Sequence, residues 1–466
     1  MSLQECLSGI CDGRFECVAF PSHPFYDIAW VKPYNLDIPV IPAAVFRPDN
    51  ATDVAGAVKC ASEYGVNVQA KSGGHSYANF GTGGEDGALM IDLQNLKSFS
   101  MNEDNWQATF GSGFRLGELD DQLHDNGGRA IAHGTCPSVG VGGHATIGGL
   151  GPMSRMWGSA LDHVQEVEVV TADGEIRRAS YTENSDLFFG IKGAGASFGV
   201  VTEFVVNTHP EPGAVVEYTY SFSFGSQREM ADVYRDWQAL IGDPDLDRRF
   251  SSLFIAEPLG ALITGTFYGT EEEYKATGIP DKLPGGGVIK FKLLDWLGHL
   301  AHEAEVAGLT LGGLPTPFTS RSLAFRAEDM MDDDAIDALF EYIDDADIGS
   351  LIWFIIWNSE GGAMADFTEG NSYPHRDKVM MYQSYVIGIP AISDETRAFV
   401  DGVQERVRDG APLANTTYAG YLDPTLDRAA ANDFYWGDMV PKLREVKKTW
   451  DPKGLFRNPQ SVQPAE

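Results

Sequence analysis

The sequence predicts an α+β fold in two domains, one of them assembled from both ends of the chain. Three observations carry this expectation. The opening reads strand–helix–strand and runs into a glycine-rich loop at 71–81. Near residue 206 the texture changes to alternating strands with amphipathic helices, the pattern of an antiparallel sheet covered by helices. The last stretch, 416–466, then reads as a return to the first unit, which divides the chain at 1–206, 207–415 and 416–466.

Length and composition agree with that division. A chain of 466 residues with 43% hydrophobic content can bury a sizeable core in each of two units. The formal charge of −33 argues against a nucleic-acid or anionic-membrane partner, since both are held by basic surface. The longest wholly apolar run, Leu351 to Trp357, is far too short to span a bilayer.

The elements follow in order. Arg47-Pro48-Asp49-Asn50 is a turn and N-cap before an alanine-rich helix, Ala51 to Tyr64. Val66 to Ala70 is a short strand into the first loop, and Leu89 to Leu93 is another. Phe114 to Asn126 reads as a helix, with Leu116, Leu119 and Leu123 on one face and a Gly127-Gly128 stop. Val164 to Thr171 is a strand, and Ala172 to Glu175 is a hairpin turn. Asp186 to Lys192 is a short helix leading into Gly193, Gly195 and Gly199. That spacing follows a helix rather than a strand and lacks a suitably placed acidic residue, which disfavours a nicotinamide dinucleotide site.

In the second unit, Val215 to Phe224 is a strand, Arg228 to Ile241 an amphipathic helix, and Phe254 to Tyr268 contains two strands. Residues 270–325 read as loop-rich, with Pro280, Pro284 and Gly285 to Gly287 as breakers. Asp332 to Ile343 is an acidic helix, and Ser350 to Asn358 and Val379 to Ile389 are strands.

Two loops carry the chemical signal. Lys71-Ser72-Gly73-Gly74-His75-Ser76-Tyr77 places adjacent glycines between small hydroxyls, so bare N–H groups can face an anion with one imidazole at the edge. The stretch from His133 through Cys136, Ser138, Val139, Gly142, Gly143 and His144 to Gly148 has too many glycines for core packing. It suits backbone laid against a flat ligand or its phosphates. His133 and His144 either assist such a ligand or order the glycine turn.

The segments SGGHSYANFG (72–81), HGTCPSVGVGGH (133–144), DLFFGIKGAGASFGVVTEF (186–204), YPHRDK (373–378) and DPKGLFRNPQSVQP (451–464) occur in order along nearly the whole chain. Together they resemble the FAD-linked oxidases of the berberine bridge enzyme type, and most of all the gluco- and chitooligosaccharide oxidases. The resemblance implies a bipartite FAD-binding domain (1–206 and 416–466) and a substrate-binding domain (207–415). It implies FAD bonded twice, through His75 at the flavin 8α-methyl and Cys136 at C6. By the same resemblance Lys71, Ser72, Gly73, Gly74, Ser76, Val139, Gly142, Gly143, His144, Gly148, Gly195, Gly199, Val201, Asn458 and Gln460 line the cofactor. It further implies that Cys6 pairs with Cys60, which would leave Cys11 with Cys17. A metal site is the alternative for these cysteines, but there is no CxxC and no clustered histidine.

Oxidation of an alcohol needs a base for the hydroxyl proton. Thr417-Tyr418-Ala419-Gly420-Tyr421-Leu422-Asp423-Pro424 offers two tyrosines. If this stretch is extended, only one can face the flavin, and the family's Tyr-x-Asp-Pro pattern selects Tyr421. In the resembling sugar oxidases an aspartate two residues past a glutamine, just before a Gly-Gly pair, assists the tyrosine. Here Ile356 and Asn358 stand in those places before Gly361-Gly362, and neither brings a charge. Gln383 matches a family glutamine and is expected to hold a sugar hydroxyl. Tyr77, Tyr385, Trp353 and Trp357 are candidate platforms for a sugar ring, with core packing preferred for the two tryptophans.

Val139, small and three residues after Cys136, implies by resemblance that oxygen reaches the reduced flavin. The expected activity is oxidation of an oligosaccharide's reducing-end C1 hydroxyl to a lactone, with O2 reduced to H2O2. The rivals are oxidation or dehydrogenation of a secondary metabolite, and a flavin-bearing binding protein without turnover. Either the protein stays in the cytoplasm or this is a secreted mature form; the even set of N-terminal cysteines and the sequons at Asn50 and Asn415 favour secretion, with monomer as the expected state.

Overall fold

The computed structural model describes residues 2–294, 296, 298–300 and 314–466. Four strands open the fold: β1 (Val18–Ala19), β2 (Ala44–Phe46), β3 (Val68–Lys71) and β4 (Leu89–Asp92), in spatial order β1-β2-β4-β3. β4 runs parallel to both β2 and β3. The crossover from β2 to β3 is the predicted helix Ala51–Tyr64 with its cap at Asn50, and the structure ends it at Gly65 in the left-handed region. Its buried stripe, Val54, Val58 and Ala61, packs on this sheet with Leu7 of the N-terminal helix Leu3–Cys11. Both disulfides sit in this corner, Cys6–Cys60 and Cys11–Cys17, and Cys136 is in neither.

A second, antiparallel sheet follows: β5 (Phe99–Asn102), β6 (Gln107–Gly111), β8 (Val164–Val170), β9 (Ile176–Ser180) and β10 (Val200–Asn207), ordered β5-β6-β10-β8-β9. Between these lies β7 (Arg129–Ala130), which pairs with β11 (His209–Pro210). The helix Leu116–Asp125 buries Leu116, Leu119 and Leu123 against this layer.

The third sheet has seven antiparallel strands: β12 (Val215–Phe222), β13 (Phe250–Glu257), β14 (Gly260–Tyr268), β15 (Val288–Leu294), β16 (Phe318–Phe325), β17 (Ile352–Ser359) and β18 (Met380–Ile387). Their order is β15-β12-β14-β13-β17-β18-β16. Helices Met230–Ile241, Asp333–Asp345 and Asp394–Gly410 cover one face and build the largest core, with Trp237, Phe254, Phe340, Trp353 and Trp357 inside it. The preference for core packing at Trp353 and Trp357 is met.

The loop-rich reading of 270–325 needs correction. The helices Glu271–Ala276 and Ile279–Lys282 and the strands β15 and β16 lie there, and the part at 301–313 falls outside the described residues. The proline and glycine breakers mask two strands whose stability comes from cross-strand pairing, with β12 and with β18.

The C-terminal segment is bound to the first part of the chain. Lys447 Nζ, buried, donates to Ser197 O, to Phe456 O at 2.8 Å and to the Asp451 carboxylate at 2.6 Å. Val68 N–H donates to Leu455 O at 2.9 Å, which extends the edge at β3. Leu443, Val446 and Val462 join the core of the second sheet. Between the seven-stranded sheet's side and the second sheet's side, Arg376 clamps Asp162 with two hydrogen bonds of 2.7 and 2.8 Å.

Candidate active site

The two glycine loops close on each other. A Cβ on Gly73 would lie 2.2 Å from Gly140 N, and one on Gly140 would lie 1.8 Å from Gly73 N, so no side chain fits at either position. Ser72 ties the contact, donating to Ser112 O at 2.7 Å and accepting from Gly142 N–H at 3.3 Å. This clasp brings together side chains 61 positions apart in sequence: Ser138 Oγ lies 3.0 Å from His75 Nε2 and 3.3 Å from Cys136 Sγ. Desolvation, with the Arg115 and Lys71 charges, pushes His75 down to about 4, so its imidazole is neutral and nucleophilic at ordinary pH. The Tyr34 ring lies 4.5 Å from that of His75, a neighbour that local sequence does not announce.

Other residues expected to line a cofactor have protein partners of their own. Lys71 Nζ donates to Val31 O at 3.0 Å, turned away from the loop, because the strand β3 carries its side chain toward the 26–31 turn. Ser76 Oγ accepts from Phe80 N–H at 3.0 Å and caps the loop, with Gly74 beside the Lys71 stem. His144 Nε2 accepts from Gly134 N–H at 2.9 Å, and His133 Nε2 lies 2.8 Å from Asp120 Oδ1. Of the two roles left open for these histidines, the hydrogen bonds are those of turn ordering.

Gly148 leaves room for the rings of Tyr418 and Tyr373. Gly195 and Gly199 lie against Thr146 and Val169, and Val201 is in the core. Gln460 gives both N–H groups to Asp423 O (2.7 Å) and Leu426 O (2.9 Å) and accepts from Tyr435, while Asn458 Oδ1 accepts from Gln460 N–H at 2.9 Å. These two side chains hold the segment after Tyr421 in place.

That segment is a turn, so the condition of an extended stretch, under which only one tyrosine could face the flavin, does not hold. Tyr421 N–H donates to Tyr418 O at 2.9 Å, and the two rings meet edge-on at 5.3 Å, because Ser322 Oγ holds Tyr421 O at 2.7 Å and bends the chain. Both tyrosines therefore lie on the same side, with different partners. Tyr418 is buried and its hydroxyl accepts from Gly149 N–H at 2.9 Å. Tyr421 is half-buried, and its phenol oxygen accepts from Asn358 Nδ2 at 3.3 Å.

Facing Tyr421, the Tyr77 ring lies 6.3 Å away in a stacked arrangement, and its hydroxyl donates to Gln383 Oε1 at 3.1 Å. Tyr385 flanks Tyr77 at 5.9 Å from the same strand as Gln383. Burial raises every one of these phenols; beside Tyr421, the charge of Glu360 raises it further, and only the Asn358 donor lowers it. Sequence reasoning passed over Ser138, Glu360, Tyr34 and Tyr373. Ser138 and Tyr373 stood inside quoted motifs, and Glu360 and Tyr34 enter only through long-range packing.

Among the described residues, the features around the clasp fit an FAD. Ser112 Oγ is buried there without a hydrogen-bond partner. Beside Gly143 no atom lies within 4 Å of the place a side chain would take. A phosphate-bearing flat group needs both a donor without a partner and bare backbone. The fold and this site define an FAD-dependent oxidoreductase.

Comparison with known proteins gives the family. The FAD binding domain family matches residues 42–180, and the family described as berberine and berberine like matches 417–463. The chain is 35% identical to the FAD-linked oxidoreductase sorD of Penicillium rubens, over 98% of both chains. It is 33% identical to a carbohydrate oxidase of Microdochium nivale, covering 94% of this chain and 90% of that one. Among solved structures it matches the glucooligosaccharide oxidase of Acremonium strictum, with its 6-S-cysteinyl, 8α-N1-histidyl FAD. There the TM-score is 0.87 at 30% identity, over all of both chains. The chain belongs to the berberine bridge enzyme-like family of FAD-linked oxidoreductases.

Proposed function

We propose that this protein oxidises the C1 hydroxyl at the reducing end of an oligosaccharide to a lactone, with O2 reduced to H2O2. The observation that carries the reading is the half-buried Tyr421 phenol, held by Asn358 and facing the Tyr77–Gln383 pair. A bound FAD would supply the two-electron acceptor for the C1 hydride. Tyr421 takes the hydroxyl proton, Asn358 stabilises the phenolate by donating to it, and Gln383 orients a ring hydroxyl. Tyr385 and Tyr77 offer flat faces to the ring, and Val139 leaves oxygen access.

His75 and Cys136 are the two attachment points, since one hydroxyl, Ser138 Oγ, lies within 3.3 Å of both. Denaturation in acid should leave the yellow colour in the pellet. His75→Ala and Cys136→Ala should each retain it through the remaining bond, and the double variant should release it. The protein is read as secreted, on its two disulfides, and as monomeric.

The decisive experiment is H2O2 release from a panel of cello-, chito-, xylo- and maltooligosaccharides, alongside phenolic and amine alcohols. Saccharide turnover that is lost in Tyr421→Phe supports the reading. Turnover of the alcohols alone favours the second reading, a secondary-metabolite oxidoreductase. That alternative draws support from Ile356, half-buried on the same strand face as Asn358, which gives the cleft an apolar wall where the sugar oxidases carry a glutamine.

A further inference from the structure

One hydroxyl stands between the two side chains proposed to bond the flavin. Ser138 Oγ lies 3.0 Å from His75 Nε2 and 3.3 Å from Cys136 Sγ. Backbone sets its place. The turn from Cys136 to Val139 closes with Val139 N–H donating to Cys136 O at 3.1 Å. The start of the helix Leu116–Asp125 grips that turn: Leu116 N–H donates to Val139 O at 2.9 Å, and Gly117 N–H to Pro137 O at 3.1 Å. N–H groups in a helix's first turn have no partner inside the helix and are free for such contacts. The turn is held by these bonds, and the Ser138 hydroxyl is left to His75 and Cys136.

The His75 ring is fixed from a second side. The Tyr34 ring lies 4.5 Å from it, and Tyr34 is itself pinned by buried Asn79. Asn79 Oδ1 accepts from Tyr34 N–H at 2.9 Å and from Asn35 N–H at 3.1 Å, while Nδ2 donates to Asn35 O at 2.8 Å and to Ile38 O at 2.7 Å. Asn79 belongs to the same loop as His75, so the loop brackets its own histidine. With Ser138 on Nε2, the nitrogen that Ser138 leaves unengaged is Nδ1.

Burial, with the Arg115 and Lys71 charges, keeps the imidazole neutral, so one ring nitrogen carries the hydrogen and the other a lone pair. A hydroxyl has one hydrogen to donate and lone pairs with which to accept. The row His75–Ser138–Cys136 can therefore run in two directions. In one, the thiol donates to Ser138, Ser138 donates to Nε2, and the imidazole hydrogen occupies Nδ1. In the other, Nε2–H donates to Ser138 and Ser138 donates to sulfur. Only the second leaves a lone pair on Nδ1 and stabilises negative charge on sulfur, the forms in which the two groups attack.

We propose that Ser138 is the positioning residue of flavin attachment, holding Nε2–H of His75 while pointing its own hydrogen at Cys136, so that one side chain prepares both bonds. This rests on the double attachment at His75 and Cys136. At each site a bond from Nδ1 or sulfur replaces one C–H bond of the flavin. The side chain gives up its hydrogen, from Nε2 or from sulfur, as a proton, and the C–H hydrogen leaves as a second proton. The two electrons released reduce O2, which takes up both protons as H2O2.

The test uses the enzyme as purified with its flavin and reads attachment, not turnover. Ser138→Val and Ser138→Thr match in shape and differ in the hydroxyl. Each is combined with Cys136→Ala, where the His75 bond alone remains, and with His75→Ala, where the Cys136 bond alone remains. Absorbance before denaturation measures total bound flavin. The acid-stable fraction and the mass of the denatured chain then measure what is attached. Ser138→Val should bind flavin but lower the acid-stable fraction about fivefold or more in both backgrounds. Ser138→Thr should stay near its parent in both. Ser138→Ala, which removes the hydroxyl without adding bulk, decides the matter if the valine variant does not fold.

An acid-stable fraction that stays at the parent's level without the hydroxyl overturns the proposal, as does a drop in one background alone. A drop shared by Ser138→Thr also overturns it, since shape and not the hydroxyl would then govern attachment. Failure of the double-attachment reading looks different: the wild type itself would give up its flavin in acid, and this proposal would fall with it.

Discussion

The Asn358 amide donates to the Tyr421 phenol oxygen across 3.3 Å, the one hydrogen bond that lowers Tyr421 against the push of burial. A donor at this place stabilises the phenolate more than the phenol. Asn358→Ala should therefore cost the transition state about 1.5–3 kcal/mol, a loss of roughly 10- to 150-fold in the rate of flavin bleaching. Stability should change little, since the site is half-buried. A rate within twofold of wild type would show that the contact is not used.

Gln383 accepts from Tyr77 at 3.1 Å on the far side of the cleft, where a ring hydroxyl would be oriented. Gln383→Ala should raise KM about fivefold or more, near 1 kcal/mol for a lost hydrogen bond, with a smaller change in kcat. Steady-state kinetics on the panel's best substrate checks this. An effect confined to kcat would assign Gln383 to the chemical step instead.

The two disulfides close loops of very different length, with sequence separations of 54 and 6. On the chain-entropy argument, losing Cys6–Cys60 should cost about 4 kcal/mol and losing Cys11–Cys17 about 2 kcal/mol. Paired Cys→Ser variants, compared by denaturant unfolding, should rank in that order. Equal losses would mean that local packing outweighs loop closure.

His144 and His163 each accept a backbone N–H through Nε2, from Gly134 and from Ala132, and burial pushes both down to about 3. In the unfolded chain each takes its proton near the ordinary histidine value of about 6.5, so the unfolded state binds protons first. Their contribution to stability is present in full above about pH 6.5 and is lost progressively as the pH falls toward about 3. The Tm should drop between about pH 7 and about pH 4. A flat profile over that range would mean that another group offsets them.

Much of this was legible in the residues themselves. The helix Ala51–Tyr64 announced its start through the cap at Asn50, and the structure has that helix. The hairpin of β8 and β9 turns at the predicted 172–175, because local turn chemistry is strong there. Resemblance to the oligosaccharide oxidases led to FAD and to the Cys6–Cys60 pair, which left Cys11 for Cys17, and the structure has both bridges. The reading failed where β15 and β16 were hidden among proline and glycine signals, and it left the conformation of 417–424 open because nothing local marks the bend that Ser322 imposes from another strand.

The sequence alone determined most of the periodic elements and the two glycine loops, because each depends on near neighbours, and a continuous family motif pointed to His75, Cys136 and Tyr421. Only the tertiary structure decided that Ser138 bridges the first two, that Tyr418 and Tyr421 share one side, and that Glu360 is buried with an unpaired oxygen two residues beyond Asn358. The physical reason is range. Backbone propensity acts over a few residues, whereas desolvation and charge coupling depend on which distant segments the fold brings within a few ångströms.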